Sequence, residues 1–361
     1  MRMSHIIAPG LMAGAENVVL QGCTALLASG HELSLLVIVE ERCPQYGERF
    51  LEAARSRAIP AEPLRVRGRL DLGAISSLRA TLKADRTEVV HAHGYKALVY
   101  GALARSGQTT LVVTHHGETG HDLLARFYER LARILYRQVD CVFSVSSATT
   151  ESLVATGVMR AKLRTVPNPV SLPAPNPDVE PSASESALLF VGRLSEEKGL
   201  DVLLRALARS NTPKQLALDV AGDGPCAGKW KALSASLGLD ARVRWLGVRS
   251  DIPELLAKAQ ALVLPSLREG LPLAVLEAAS CEVPVLASRV GGVPEAVWEG
   301  ETAMLVAPGD VDAWSKALEA LPAQAETLRK GARRRGAEVR ARHAPERWAE
   351  LTARYYREVA R

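Results

Sequence analysis

Six prolines between Pro167 and Pro181 cut this 361-residue chain near its middle. Each has a fixed φ and no backbone N–H, so the stretch can be neither a helix nor an interior strand. The chain length allows about two domains. We therefore read a first domain over 1–170, a linker over 171–186, a second domain over 187–344 and a terminal helical segment over 345–361.

Both sides of the linker alternate short apolar runs with helical segments. His5 to Pro9 reads as a strand, and LMAGAENVVL then turns into a helix from about Glu16 to Ser29 that Gly30 ends. Leu33 to Val39 returns as a strand, which makes a βαβ opening and predicts a doubly wound α/β fold. The single Gly14 falls short of a dinucleotide fingerprint, so no such cofactor is expected. Glu88–Ala92 and Leu111–Thr114 are further strands, ending in His91, His93 and Gly94 and in His115, His116 and Gly117. Two histidine-bearing strand ends point to one rim of a parallel sheet. No carboxylate or cysteine pattern accompanies them, so no metal is expected. Between Asp122 and Arg137, Arg126, Arg130, Arg133 and Arg137 recur at helical spacing opposite an apolar stripe. Such a face is either solvated or suited to an anionic membrane surface.

Beyond the linker, Leu188–Val191 reads as a strand followed by Gly192, Arg193 and a helix starting near Lys198. Leu216–Val220 leads into the AGDGP turn, with Gly222 and Gly224 free for a tight turn or a close ligand. Ala261–Leu264 is a buried strand, and EGLPLAVLE from Glu269 to Glu277 follows it into a helical segment. In open α/β sheets ligands bind at the carboxyl ends of strands. Pro272 suits the opening of a helix, whose free N–H groups and dipole favour an anion such as a phosphate. Arg193 offers a planar fork of donors and Lys198 a point charge to such a group. Eight helical residues span ~12 Å, beyond the ~5–9.5 Å of a glycoside-hydrolase carboxylate pair. Glu269 and Glu277 are therefore read as separate contacts to sugar or ribose hydroxyls.

Composition narrows the class. Hydrophobic residues make up 47% and aromatics only 4%, so the cores must be built from Ala, Leu and Val. The net charge of +5 lies wholly before the linker, with 20 Lys+Arg against 15 Asp+Glu up to Leu172 and 25 of each after it. A basic amino half can attract an anionic membrane or acceptor. Five scattered cysteines argue against a disulfide framework and for a reducing cytosol. No apolar run reaches the ~18 residues of a membrane span, and no signal peptide opens the chain.

The carboxyl half resembles the family-4 glycosyltransferases, retaining nucleotide-sugar enzymes of the GT-B architecture. The matching segments are VGRLSEEKGLDVLLRAL from Val191, AGDGP from Ala221, the run from Leu246 through EGLPLAVLE to Val297, and MLVAPGD from Met304. The resemblance implies two Rossmann-like domains facing across a cleft, with a nucleotide-diphospho-sugar in the second and an acceptor in the first. It implies catalytic roles for Glu269 on the donor sugar, His116 on the transferred sugar, and Arg193 and Lys198 on the diphosphate. Glu277 would hold the ribose. Gly192, Gly270, Leu271, Pro272, Leu273 and Ala274 would line the sugar and diphosphate, Gly14 and Ala15 would face the cleft, and Val248 and Arg249 would lie by the base. Pro272 stands where the family often has Gly, which removes one amide donor, and Ala13 replaces a usual glycine beside Gly14. The expected acceptor is a lipid-linked or surface saccharide, with a UDP-sugar as donor, no metal, no nucleic acid and possible peripheral membrane contact. A small soluble acceptor or a non-catalytic nucleotide-sugar-binding scaffold is the alternative.

Overall fold

The computed structural model describes residues 1–10, 14–68, 70–117, 134–172, 187–212 and 216–360. The Pro-rich stretch from Pro173 onward and Arg126, Arg130 and Arg133 of the expected basic helix lie outside these residues. The chain divides into two compact units, Met1–Pro169 joined by His343–Arg361, and Val170–Arg342.

The first unit contains a seven-stranded sheet. Its strands are β1 Arg2–Ile7, β2 Glu32–Glu40, β3 Ala61–Val66, β4 Val89–His93, β5 Thr110–His115, β6 Cys141–Ser144 and β7 Leu163–Thr165. They lie in the order β3-β2-β1-β4-β5-β6-β7, all parallel. Strands buried on both faces must be apolar nearly throughout, and β2, ELSLLVIVE, shows why the pattern is a run and not an alternation. Leu36 and Ile38 point into one core with Ile6, Leu78 and Tyr100, while Leu35, Val37 and Val39 point into the other with Leu20, Phe50 and Trp348. Among the described residues before the linker the helices are α1 Gly14–Ala28, α2 Pro44–Arg55, α3 Leu72–Ala84, α4 Tyr95–Ala104 and α5 Ser147–Ala155. Asp71 caps α3 and Ser146 caps α5 through side-chain bonds to Ala74 and Thr149 amides.

The second unit repeats the plan with six parallel strands, β8 Ala187–Val191, β9 Ala217–Ala221, β10 Val243–Gly247, β11 Ala259–Leu264, β12 Val285–Ser288 and β13 Ala303–Val306. Their order is β10-β9-β8-β11-β12-β13. Six helices accompany them among the described residues: α6 Leu200–Arg209, α7 Ala227–Ser236, α8 Ile252–Lys258, α9 Leu273–Ser280, α10 Val293–Ala296 and the long α11 Val311–Arg342. In each sheet the order steps outward on both sides of the first strand, so the switch point falls beside β1 and β4 or beside β8 and β11.

The last helix, α12 Pro345–Val359, belongs to the first unit and packs on α1. An apolar reading of its sequence puts Trp348, Leu351, Tyr355 and Val359 on the inner face. The structure instead buries Trp348, Ala349, Thr352, Ala353 and Tyr356, and leaves Leu351, Tyr355 and Val359 half-buried. The true seam follows the four-residue step 348, 352, 356, with Ala349 and Ala353 beside it admitting close approach. Gly22 of α1 serves the same contact, since a Cβ there would stand 2.7 Å from the Trp348 ring. Among the described residues no helix is long and apolar enough to cross a membrane.

Candidate active site

In the second unit, loops at the carboxyl ends of β8, β9 and β11 are bound to one another. Gly192 N–H donates to Ala221 O at 3.0 Å and Leu194 N–H to Asp223 O at 3.0 Å. A Cβ on Gly222, whose φ is +147°, would fall 1.9 Å from the Gly192 carbonyl oxygen. The AGDGP glycines thus admit the chain's own backbone. Lys198 ends a 3₁₀ turn, Glu196–Lys198, and α6 begins only at Leu200. The short turn arises because Gly199, in the left-handed region at φ +58°, redirects the backbone between them. Its missing side chain is required, because a Cβ would sit 2.4 Å from Pro265 O. That close approach places Lys198 against the loop leaving β11.

There the Lys198 Nζ meets Glu269 Oε1 at 2.6 Å, and Ser266 Oγ donates to the same oxygen at 2.6 Å. The Glu269 side chain is 8% exposed and that of Lys198 19%. Arg193, expected beside Lys198 on a diphosphate, is exposed and makes no ion pair among the described residues. Gly192 is close to the pair, for its Cβ position is 3.8 Å from Lys198 Cε. The Glu269–Gly270 turn is braced from behind. Gly292 N–H donates to Gly270 O at 2.7 Å, and a Cβ on Gly291 would stand 1.9 Å from Glu269 O.

Leu271 and Pro272 follow, both buried, and Pro272 is the N-cap of α9 and not part of its first turn. No side chain caps that helix, so Leu273 and Ala274 open it with amide groups available to an anion. Glu277 lies three residues beyond Ala274 and four beyond Leu273, hence on the same helix face. Burial pushes its carboxyl up to about 7. Val248 is 65% exposed, a large apolar side chain open to stacking. Arg249, its neighbour, is already engaged by both oxygens of Asp251.

The first unit carries a pocket of about 260 Å³ at the corresponding strand ends. Ala15 and Glu16 line it from the start of α1, which Gly14 opens, with His93, Gly94 and Tyr95 after β4 and Thr114 to Gly117 after β5. His116 is half-buried, its two ring nitrogens are enclosed with no partner among the described residues, and desolvation lowers it to about 4. It is therefore a neutral imidazole at physiological pH, with one donor and one acceptor to offer a ligand. His115 is tied to the Tyr136 hydroxyl at 3.0 Å, a structural use.

Sequence reasoning missed three participants. Ser266 is separated from Glu269 by only three residues, but a serine in a loop carries no signal of its own. Glu16, 9% exposed, accepts from the Gly10 amide at 3.0 Å and faces the pocket. His5 lies directly beside His91 in the β1–β4 register, beneath the pocket-lining His93. Its position on a strand read only for apolar content concealed it.

Comparison with known proteins covers both halves. Residues 12–172 match Glycosyltransferase Family 4 and residues 185–324 match Glycosyl transferases group 1. The chain is 27% identical over 324 residues to a phosphatidylinositol N-acetylglucosaminyltransferase subunit of Arabidopsis thaliana, covering 86% of this chain and 72% of that one. It is 24% identical over 340 residues to UDP-Gal:alpha-D-GlcNAc-diphosphoundecaprenol alpha-1,3-galactosyltransferase of Escherichia coli, covering 88% and 87%. Among solved structures, HepE of Anabaena in complex with UDP-glucose superposes with a TM-score of 0.85 at 22% identity, over 99% of this chain and 100% of that one.

Proposed function

Because this chain belongs to the glycosyltransferases, Family 4 in its amino half and group 1 in its carboxyl half, we propose that it transfers a sugar from a UDP-sugar to a lipid-linked or surface saccharide. The observation that carries the donor reading is the Lys198–Glu269–Ser266 cluster beside the uncapped start of α9. There a diphosphate oxygen can displace Glu269 from the Lys198 ammonium, and the freed carboxylate can take sugar hydroxyls. Arg193 and the Leu273 and Ala274 amides add donors to the leaving diphosphate, which is electrostatic stabilisation of the charge that develops. Glu277, ionised on binding, accepts from the ribose hydroxyls, and Val248 stacks on the base.

In the reading we favour, the bond from the sugar's anomeric carbon to the diphosphate breaks as the bond to the acceptor oxygen forms on the same face. The acceptor proton passes to the departing phosphate. Configuration is retained, no side chain becomes a covalent nucleophile and no metal is needed for the transfer. His116, in the pocket of the first unit, offers its neutral imidazole to a sugar hydroxyl. UDP is favoured over other bases because HepE was solved with UDP-glucose and the Escherichia coli relative is named for UDP-Gal. The lipid-linked acceptor is supported by the diphosphoundecaprenol in that relative's name and by the basic amino half, which suits peripheral contact with an anionic membrane.

The test is thermal unfolding with UDP, GDP, ADP and their sugars, with and without chelator, beside Glu277→Ala. UDP at about 100 times its Kd should raise the melting temperature by roughly 2–4 °C, in chelator as well, and the variant should lose most of the shift. No shift with any nucleotide at millimolar concentration would overturn the donor site.

A further inference from the structure

Beneath the pocket of the first unit lie three histidines that the transfer reaction does not use as a set. His5, His91 and His93 are all but fully buried, and each offers a ligand atom within 4.8 Å of the other two. His5 Nδ1 is 3.0 Å from His93 Nε2, and the buried Cys23 Sγ is 3.7 Å from His5 Nδ1. Around a tetrahedral zinc, with bonds of ~2.3 Å to sulfur and ~2.05 Å to nitrogen, sulfur and nitrogen stand about 3.6 Å apart and two nitrogens about 3.3 Å. The two observed separations already approximate edges of that tetrahedron. His93 Nδ1, buried with no partner among the described residues, stays outside that tetrahedron.

We propose that Cys23, His5, His91 and His93 form a structural site for a borderline-soft divalent cation, zinc above all. A neutral imidazole offers one ring-nitrogen lone pair to a metal without loss of a proton. Cys23 binds as thiolate: its proton leaves to solvent as the metal–sulfur bond forms, reducing the charge carried into the core to +1. Outer partners that fix the ligands are already present. The Tyr356 hydroxyl oxygen lies 3.3 Å from His5 Nε2 and hydrogen-bonds His91 Nδ1. Accepting from both, it leaves His5 Nδ1 and His91 Nε2 as the lone-pair nitrogens. Thr114, now bonded to His91 Nε2 at 2.7 Å, gives way to the metal, and closing the site draws histidine nitrogens now within 4.8 Å of one another to the ~3.3 Å of a tetrahedral edge. The site is separate from the donor loops and does not rest on the transfer reading.

The test uses full-length protein purified without an affinity tag, assayed for bound metal and then stripped with chelator. One equivalent of zinc per chain in the purified protein, or a melting shift of about 2–4 °C on adding zinc to stripped protein, is expected. Cobalt in place of zinc should give a thiolate charge-transfer band that Cys23→Ser abolishes and His93→Gln diminishes. Near-ultraviolet circular dichroism of the aromatic core around Trp348 and Tyr356, measured in parallel, certifies that the first unit is folded in both variants. The proposal is overturned if stripped protein neither binds nor responds to zinc, or if the variants respond as the parent does. The four side chains are then a metal-free hydrogen-bonded array.

Discussion

The Lys198 ammonium stands 2.6 Å from the Glu269 carboxylate, two groups 71 residues apart that the Gly199 turn brings together. In the unliganded protein each is the other's counter-ion. Replacing Lys198 alone strands a nearly buried carboxylate, so Lys198→Ala should cost about 2–4 kcal/mol in urea unfolding, and Glu269→Gln in the same background should recover much of it. Donor binding should fall at least ~100-fold in both single variants. Additive stability losses would mean the two side chains do not interact in solution.

The proposed ribose contact of Glu277 would carry a pH dependence. Its folded pKa of about 7 exceeds the ordinary carboxylate value, so the folded state binds its proton more tightly than the unfolded state does. Its contribution to stability is complete below about 4.5 and is lost as pH rises to 7, on the order of 3 kcal/mol at most. Ribose hydroxyls favour the ionised form, so UDP affinity should rise between pH 6 and 8. Calorimetric titration at several pH values reads this, and Glu277→Gln should flatten the profile while weakening binding.

Acid should unfold the metal-free first unit early. Burial lowers His5 to about 3, His115 and His116 to about 4, and His91 and His93 well below the ordinary value. The unfolded chain takes up these five protons near pH 6.5, so stability is present above that pH and lost as pH falls below it. By pH 5 the loss approaches about 10 kcal/mol, comparable with a whole domain's stability. Melting temperatures measured from pH 7.5 to 4.5 should fall steeply below 6.5; a flat profile would contradict the buried neutral assignment.

Gly291→Ala should disable the donor loop. Residue 291 has φ +50° and its Cβ would meet the Glu269 carbonyl at 1.9 Å, so the backbone must move. A loss of about 3 kcal/mol or more is expected, together with loss of UDP binding. Gly238→Ala is the control: φ is +70° but nothing lies within 4 Å, and the cost should be about 1 kcal/mol with binding intact.

Two parallel α/β sheets could be read from the chain because Leu33–Val39, broken only by Ser34, and Ala261–Leu264, stopped by Pro265, are short apolar runs. The loop residues Arg193, Lys198 and Glu269 were visible because charges between a strand and a helix stand out. Contacts set by tertiary packing were not. Nothing local to Gly291 says that its carbonyl neighbour is Glu269, and His5 and Tyr356 are 351 residues apart. The apolar stripe of α12 does pack on the core, but its most buried side chains are not all in it, for a related reason. Thr352 and Tyr356 are buried by a partner that apolar periodicity does not reveal.

The return of α12 to the first unit has a consequence for how the protein is made. Trp348 and Tyr356 belong to the core that β1 and α1 begin, so the first unit lacks part of its interior until the ribosome has passed residue 356. Val170–Arg342, enclosed between the two pieces, has all of its strands translated earlier. The half synthesised first is thus the half completed last, and a nascent chain stalled before residue 343 would carry a finished second unit after an open-cored first unit exposed to chaperones and proteases.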